Sequence, residues 1–393
     1  MIQQRRLKVA LILYRDDPIS GGSLRVGQAI AQNLPVDQIE ATLVFAYGGP
    51  GTISQSVSCS THFLGAASST DWACWKKTRK WFNEMQFDVL HFIDAVNWVY
   101  FVTIGVRGKR IDHIHGMPVP ELLTTQDLFI SVVRRWLSDE AIAITHGCKR
   151  GAARIGWMSP LKIHVVQNGV NPEFFRKMLG QRQAREQLGL PQDVKLFGTV
   201  ARFCQGSGTP EILAVLKYLP ESWHAVLVGD GPLRSELEQQ AKREGLSHRL
   251  HMPGLLHDVR PAYAAFDVVI LLARYQSFCL MLAEAMVAGV PIVGLQGAGE
   301  YTEREYPLIT SENAVFFPRI NPWDFECSEP EVKYQQVAQA LQDTVNNPNV
   351  TQQRVNRARD WVTTRFSAKR QAHRCLEVYR RVCGMKRDKS CES

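Results

Sequence analysis

The stretch QSFCLMLAEAMVAGVPIVG, Gln276 to Gly294, decides how the rest of the chain is read. Ser277 is a residue type that caps helices, and the apolar run behind it has the length of a helix. Gly289 then ends the run before a buried strand. One residue breaks the pattern: Glu284 sits between Ala283 and Ala285. A lone buried carboxylate is expensive, so it needs a partner or a ligand unless it faces solvent. The helix N-terminus suits an anionic group such as a diphosphate.

Working outward, the same alternation fills the chain. Strand candidates in the first half are Val9–Tyr14, Ala41–Ala46, Val89–Phe92, His113–His115, Ala141–Thr145 and Ile163–Gln167. They are rich in Val, Ile and Leu without clear polar alternation, as strands covered on both faces of a parallel sheet are. Helical patterns lie between them at Ser23–Leu34, Trp72–Met85, Thr124–Leu137 and Gly147–Ile155. A second series holds strands at Leu196–Val200, Ala225–Val228, Val268–Leu272 and Pro291–Val293, with helices near Pro232–Glu244 and Leu280–Ala288. Alternating βα units predict a doubly wound α/β fold. The polar segment Phe175–Gln192 reads as a linker, and the pattern after Pro330 is helical to the end. The expected organisation is an N-terminal domain over 1–178, a C-terminal domain over 193–364 and a basic helical tail over 365–393. A length of 393 residues suits two such domains.

Composition narrows the class. Hydrophobic residues at 45% and charged residues at 21% exclude wholesale disorder. Mean hydropathy is −0.16, and no run of about 18 uncharged apolar residues is present, which argues against a membrane-spanning helix. The opening MIQQRRLKVALILYRDD has the basic start of a signal peptide, but its apolar run, Val9–Tyr14, is short and ends in Arg15-Asp16-Asp17, so it reads as a first strand. Nine cysteines form no CxxC and no repeated spacing, which points to free thiols in a reducing compartment. The net charge is +8, unevenly spread. Residues 1–180 hold 20 Lys and Arg against 14 Asp and Glu, residues 365–393 hold 9 against 3, and the middle is slightly acidic.

Four more stretches bear on chemistry. Gly21-Gly22, behind the first strand and opening a helix, is either a tight turn or an anion cradle, and lacks the full G-x-G-x-x-G fingerprint. VVQNGVNPEFF, Val165–Phe175, reads locally as an Asn-Gly turn and marks the domain junction. In GTVARFCQGSGTPEI, Gly198–Ile212, Arg202 ends a strand beside a Gly-rich loop and a helix start, a position suited to phosphate or simply to the surface. In LVGDGPLRSELE, Leu227–Glu238, Gly229-Asp230-Gly231 turns the chain and Pro232 opens a helix.

In this order and spacing, the five stretches resemble the retaining glycosyltransferases of family 4, of the GT-B fold class. The resemblance runs over nearly the whole chain and is strongest from Val165 to Gly294. It implies two Rossmann-like doubly wound domains facing a cleft, with a C-terminal helix crossing back to the N-terminal domain. It implies a sugar moved from a nucleotide diphosphate donor, such as a UDP- or GDP-sugar, with no metal and no cofactor. No DxD-like or His/Cys cluster opposes this. Arg202 would bind the donor diphosphate, and Ser277, Phe278 and Leu280 would present backbone to the same phosphates. Glu284 would hold the ribose hydroxyls, and Gly21 and Gly22 would close onto the phosphates. His115, in HIHGMP, resembles the family histidine beside the transferred sugar; a polar loop residue is the plainer reading.

Three positions depart from the family pattern: Ser207 stands for a lysine, Gln276 for a glutamate and Cys279 for a glycine. They leave two expectations, an active hexosyltransferase-type enzyme or a non-catalytic GT-B subunit that binds sugar through a degenerate donor site. An epimerase or phosphorylase on the same architecture fits the motifs less well. Nucleic acid is not an expected partner, because no recognised motif accompanies the basic residues. The acceptor domain carries WACWKKTRKWF, Trp72–Phe82, where Lys76, Lys77, Arg79 and Lys80 accompany aromatics. Either this is a solvated face over core aromatics, or it lies on an anionic membrane. Arg134-Arg135-Trp136 is a second, weaker cluster. The expectation drawn is a cytoplasmic protein associating with the inner face of the membrane, with a lipid-linked saccharide or lipopolysaccharide acceptor in a polysaccharide pathway.

Overall fold

Apolar runs without polar alternation build two parallel sheets. The computed structural model describes residues 5–17, 21–94, 96–116, 125–156, 158–273, 278–295, 308–317 and 330–385. The chain divides into two compact units, one made of Met1–Gly169 with Ala368–Ser393 and the other of Val170–Ser367.

In the first unit the chain order is β1 (Leu7–Arg15), α1 (Gly22–Asn33), β2 (Ile39–Tyr47), α2 (Thr52–Ser56), β3 (Ser60–Ala66), α3 (Trp72–Met85), β4 (Val89–Phe92), α4 (Asn97–Val102), β5 (Lys109–Ile114), α5 (Thr125–Leu137), β6 (Glu140–Ala143), α6 (His146–Gly156) and β7 (Ile163–Val165). The sheet order is β3-β2-β1-β4-β5-β6-β7, all parallel, with Leu7 opposite Ile39 and Val9 opposite Val89. Period-two geometry sends alternate residues of β1 to opposite faces. Val9, Leu11 and Leu13 join a core with Leu24 and Ile30 of α1, while Ala10 and Ile12 join one with Phe82 of α3 and Tyr100 of α4.

The second unit runs α7 (Gln181–Gln187), β8 (Lys195–Val200), α8 (Thr209–Leu216), β9 (Trp223–Val228), α9 (Arg234–Arg243), β10 (Leu250–Gly254), α10 (Arg260–Ala265), β11 (Val268–Leu271), α11 (Leu280–Ala288), β12 (Ile292–Leu295), β13 (Val315–Phe317), α12 (Pro330–Asn346) and α13 (Pro348–Arg365). Its sheet order is β10-β9-β8-β11-β12-β13, again parallel. Leu196 faces the core built with α7, α10, α11 and α13, and Phe197 the core built with α8, α9 and α12.

The last helix, α14 (Ala368–Val382), returns to the first unit. Its buried residues, Ala368, Gln371, Ala372, Cys375, Leu376, Val378 and Tyr379, fall at helical spacing on one stripe, which packs beside α1. The return also redistributes charge. The first unit holds 26 Lys and Arg against 16 Asp and Glu, and the second holds 20 against 22.

Two expectations about organisation are corrected. The first unit ends at Gly169, not at 178, because Val170 donates its N–H to the Phe366 carbonyl at 2.8 Å and Phe175 is buried in the second core. The segment 175–192 is no linker: it contains α7, which buries Ala184 and Arg185. The Arg185 guanidinium donates to Asp267 at 2.8 Å and to the carbonyls of Ala265, Gln192 and Val194. The polar composition of QRQAREQ hides a single buried stripe. The sequence pattern also misses β3, β10 and β13. β3 and β10 are edge strands broken by Gly65 and Pro253, and β13 is three residues long.

Removing one partner of a buried ion pair leaves the other charge uncompensated. Asp267→Ala is therefore expected to destabilise the second unit by about 3–5 kcal/mol, read as an earlier unfolding midpoint in urea.

Candidate functional site

Open α/β sheets bind ligands beyond the carboxyl ends of strands, where the strand order reverses. In the second unit that point lies between β8 and β11. Two glycines allow the chain to close around it. At Gly208, with φ +83°, a Cβ would stand 2.4 Å from the Leu272 carbonyl carbon, so only glycine lets the loop behind β8 lie on the chain leaving β11. At Gly229, with φ +133°, a Cβ would stand 1.9 Å from the Ala201 carbonyl oxygen. Phe203 donates its N–H to the Asp230 carbonyl, and Leu233 donates to the Phe203 carbonyl, both at 3.0 Å. The loops after β8 and β9 are thus joined by backbone bonds.

Arg202 sits between Ala201 and Phe203, whose amides are both fixed. Its side chain is exposed and makes no hydrogen bond or ion pair among the described residues. Ser207, in the place of the family lysine, has its Oγ 2.9 Å from Thr209 Oγ1 and accepts from the Thr209 N–H at 3.4 Å. The start of α8 therefore offers a pair of hydroxyls where a cation was expected.

Across the switch point, α11 begins at Leu280 with Cys279 as its cap, and the Cys279 side chain makes no capping hydrogen bond. Ser277 and Gln276 lie outside the described residues. Cys279 has φ −82°, extended backbone open to any residue, so the family glycine is not required there. Burial pushes its thiol up to about 12, which keeps it protonated and non-nucleophilic at neutral pH. Phe278 lies half-buried against Phe366, with ring centroids 5.5 Å apart.

Glu284 does not face solvent: it is 6% exposed. Its Oε2 accepts from the Tyr263 hydroxyl at 2.8 Å, and the same hydroxyl lies 3.2 Å from the Met281 carbonyl. Tyr263, from α10, was missed in the sequence because no spacing links it to residue 284.

In the first unit the order reverses between β1 and β4. Gly21 precedes α1 with φ +62° and ψ −141°, and Gly22 is its first residue; both are exposed. His115 follows β5 and is half-buried. Its ring hydrogen-bonds the backbone at Ile93 and lies 4.3 Å from that of His113, 12° from parallel. Burial holds the imidazole below its usual pKa, against the pull of Asp94 and Asp112, so His115 is neutral at pH 7.

The basic stretch forms α3, and one of its cations is engaged by backbone. Lys76, Lys77 and Lys80 are exposed, with Lys80 3.8 Å from Glu84, and Trp72 is 65% exposed. Arg79 is committed elsewhere: its Nη1 donates to the carbonyls of Val102 and Ile104 at 2.8 and 2.7 Å. In the second cluster Arg134 and Arg135 turn inward, and Arg134 pairs with buried Asp112. Only Trp136 of the three stands out, at 82% exposure.

Comparison with known proteins agrees with this architecture. Residues 20–174 match the family described as Glycosyltransferase Family 4, and residues 180–318 match that described as Glycosyl transferases group 1. EpsF of Bacillus subtilis (strain 168), described as a glycosyltransferase, is 26% identical over 224 residues, which are 53% of this chain and 58% of EpsF. The chain thus spans little more than half the length of the first curated relatives it matches. A UDP-Gal:alpha-D-GlcNAc-diphosphoundecaprenol alpha-1,3-galactosyltransferase of Escherichia coli is 22% identical over 303 residues, 70% of this chain and 76% of that one. Among solved structures, Anabaena HepE in complex with UDP and glucose superposes with a TM-score of 0.76 at 18% identity, covering 95% of this chain and 99% of HepE.

Two substitutions test how the second unit's loops are built. Gly229→Ala combines a backbone strain of about 1–3 kcal/mol with a steric clash, and is expected to lower the melting temperature measured by calorimetry. Tyr263→Phe removes the donor to buried Glu284 and should cost about 1–3 kcal/mol in chemical denaturation.

Proposed function

Because the chain belongs to the group 1 glycosyltransferases of family 4 and has the GT-B fold, we propose that it transfers a hexose from a nucleotide diphosphate sugar to an acceptor with retention of anomeric configuration. The observation that carries this reading is Arg202. It is an exposed guanidinium held at a strand end between two anchored amides, with the start of α11 beyond the neighbouring strand. A leaving diphosphate gathers charge as the glycosidic bond breaks, and groups already in place for that charge accelerate the step. Arg202 meets it with a fork of donors, and the amides at Phe278, Cys279 and Leu280 meet it with the helix dipole. Glu284, held by Tyr263, takes the ribose hydroxyls, and Ser277 joins the phosphate contacts. His115, neutral at pH 7 and held at Ile93, is the residue that meets a sugar hydroxyl.

The reaction balances without a covalent enzyme intermediate. The bond from the anomeric carbon to the diphosphate oxygen breaks, and the acceptor oxygen bonds that carbon on the same face. The acceptor proton passes to the leaving phosphate, and a nucleoside diphosphate departs. No metal takes part in this scheme.

We further propose that the acceptor is anionic and lipid-linked, a saccharide diphosphate lipid or a lipopolysaccharide, met at the inner face of the membrane. The excess of cations in the first unit supports this, as does α3, where Lys76, Lys77 and Lys80 stand exposed beside Trp72. The Escherichia coli relative named above acts, by its name, on a diphosphoundecaprenol substrate. No helix among the described residues is long and apolar enough to cross a membrane.

A second reading has one observation in its favour. Ser207 supplies hydroxyls where a cation would complete the clamp, as in a subunit that binds donor without turning it over. Titration with UDP and GDP, followed by turnover across several nucleotide sugars, separates the two. Arg202→Ala should lower kcat/KM about 100- to 1,000-fold, and Ser207→Lys should tighten diphosphate binding about tenfold or more, since a charge-assisted contact contributes about 1.5–3 kcal/mol. Binding with no turnover for any donor and acceptor pair would favour the subunit. For the membrane, each lysine near an anionic surface contributes about 1 kcal/mol. The full chain should float with anionic but not neutral vesicles, and replacing Lys76, Lys77 and Lys80 by Glu should leave it at the bottom of the gradient.

A further inference from the structure

A line of buried hydrogen-bonding groups joins the last helix to His115. His91 on β4 and His113 on β5 occupy neighbouring strands, with His91 Nε2 3.0 Å from His113 Nδ1. Their rings are 7° from parallel, with centroids 5.0 Å apart. His115 lies two residues beyond His113 and so projects to the same face of the sheet, where the two rings stack. At the far end, the hydroxyl of Tyr379 on α14 stands 2.7 Å from His91 Nδ1. All of His91, His113 and Tyr379 are buried, and the sequence pattern assigns none of them a role.

The protons in this line are set together. A neutral imidazole has one donor and one acceptor nitrogen. If Tyr379 donates to His91, then His91 Nε2 donates to His113; if Tyr379 accepts, both bonds reverse. Either arrangement fixes both rings, and neither satisfies His113 Nε2, which is buried without a hydrogen-bond partner among the described residues. His113, only 4% exposed, is held instead by His91 at its Nδ1 and by the stack on His115. Nothing in the sugar chemistry needs a polar group at positions 91 and 379, and an apolar core would have been the simpler filling.

We propose that Tyr379, His91 and His113 are positioning residues that hold the His115 ring in its plane and exclude water from it, so that the C-terminal helix helps set the sugar site. This rests on the reading that His115 faces the transferred sugar. The groups that face His115 electrostatically are Asp94 beyond β4, Asp112 on β5, Arg134 on α5, and the His113 and His91 rings. Burial depresses all three histidines, His91 to about 3, while the two aspartates pull His115 upward. His115 is therefore the member that protonates first as pH falls. Water admitted to the stack relieves the burial and raises its pKa. Activity that requires neutral His115 is then lost at a higher pH on the acid side.

The test uses the full chain and two variants, Tyr379→Phe, which keeps the ring in the core, and His91→Gln, which keeps a polar reach to His113. Their histidine rings are followed by ¹⁵N NMR without ligand, alongside kcat and KM for a nucleotide sugar from pH 5 to 9. The expected result is a His115 titration moved upward in both variants. With it, kcat should fall at least fivefold at pH 6 and less than twofold at pH 8, and KM for the donor should stay within twofold. Folded variants with a wild-type His115 titration would overturn the proposal, as would a drop in kcat equal at every pH. His115→Ala separates the underlying reading. If it turns over at the wild-type rate while the NMR shifts stand, His115 does not serve the sugar and the positioning role for catalysis is overturned with it.

Discussion

The carboxamide of Gln371 is the point on which the first unit depends. It is 1% exposed, donates to the Asn168 side chain at 3.2 Å and accepts from the Gly169 N–H at 2.9 Å. The chain leaves the first unit at Gly169 and re-enters it at Ala368, so one buried side chain ties the exit to the return. A buried amide with its partners fixed is worth far more than the same contact in water, and is costly to break. Beyond this knot α14 lies along α1 and completes the core that Val9, Leu11 and Leu13 begin. Without the return, α1 alone would be left to cover Val9, Leu11 and Leu13 on that face.

Several properties follow from the return of this helix. It brings Tyr379 to His91 and so starts the line of groups that reaches His115. It also gathers positive charge. A weak excess spread over 393 residues becomes a unit with 26 cations against 16 anions and a second unit close to balance. That contrast gives the first unit a positive field, which a net charge alone does not localise.

The second unit solves a different problem, which is to hold a guanidinium still without burying it. The close approaches at Gly208 and Gly229 bring three chain segments within backbone contact, and the bonds between Phe203, Asp230 and Leu233 fix Arg202 between rigid neighbours. Preorganisation of this kind matters because charge developing in a transition state is best met by donors that need not move. Ser207, at the start of α8, has its hydroxyl already engaged with Thr209.

Much of this was legible in the sequence. Doubly buried strands are continuous apolar runs, and glycines at strand ends mark where the chain must turn closely, so the alternation, the two sheets, the strand-end place of Arg202 and the odd carboxylate Glu284 could be read from local pattern, whereas His115 stood out only through the family resemblance. Where pattern weakens, reading fails. β3 and β10 lie at sheet edges and are interrupted by Gly65 and Pro253, and α7 hides one buried stripe in a polar heptapeptide. Partnerships between distant side chains leave no trace in spacing. The sequence by itself determined which segments become strands and helices and which residue types stand at their ends, because backbone geometry and hydrophobic period act over a few residues. Only the tertiary structure decided that Tyr263 holds Glu284, that Arg79 donates to the Val102 and Ile104 carbonyls, that Arg134 is withdrawn from the surface, and that Tyr379 reaches His91 across 288 positions of chain. Hydrogen bonds and ion pairs form wherever packing brings their atoms together, and packing is a property of the whole fold.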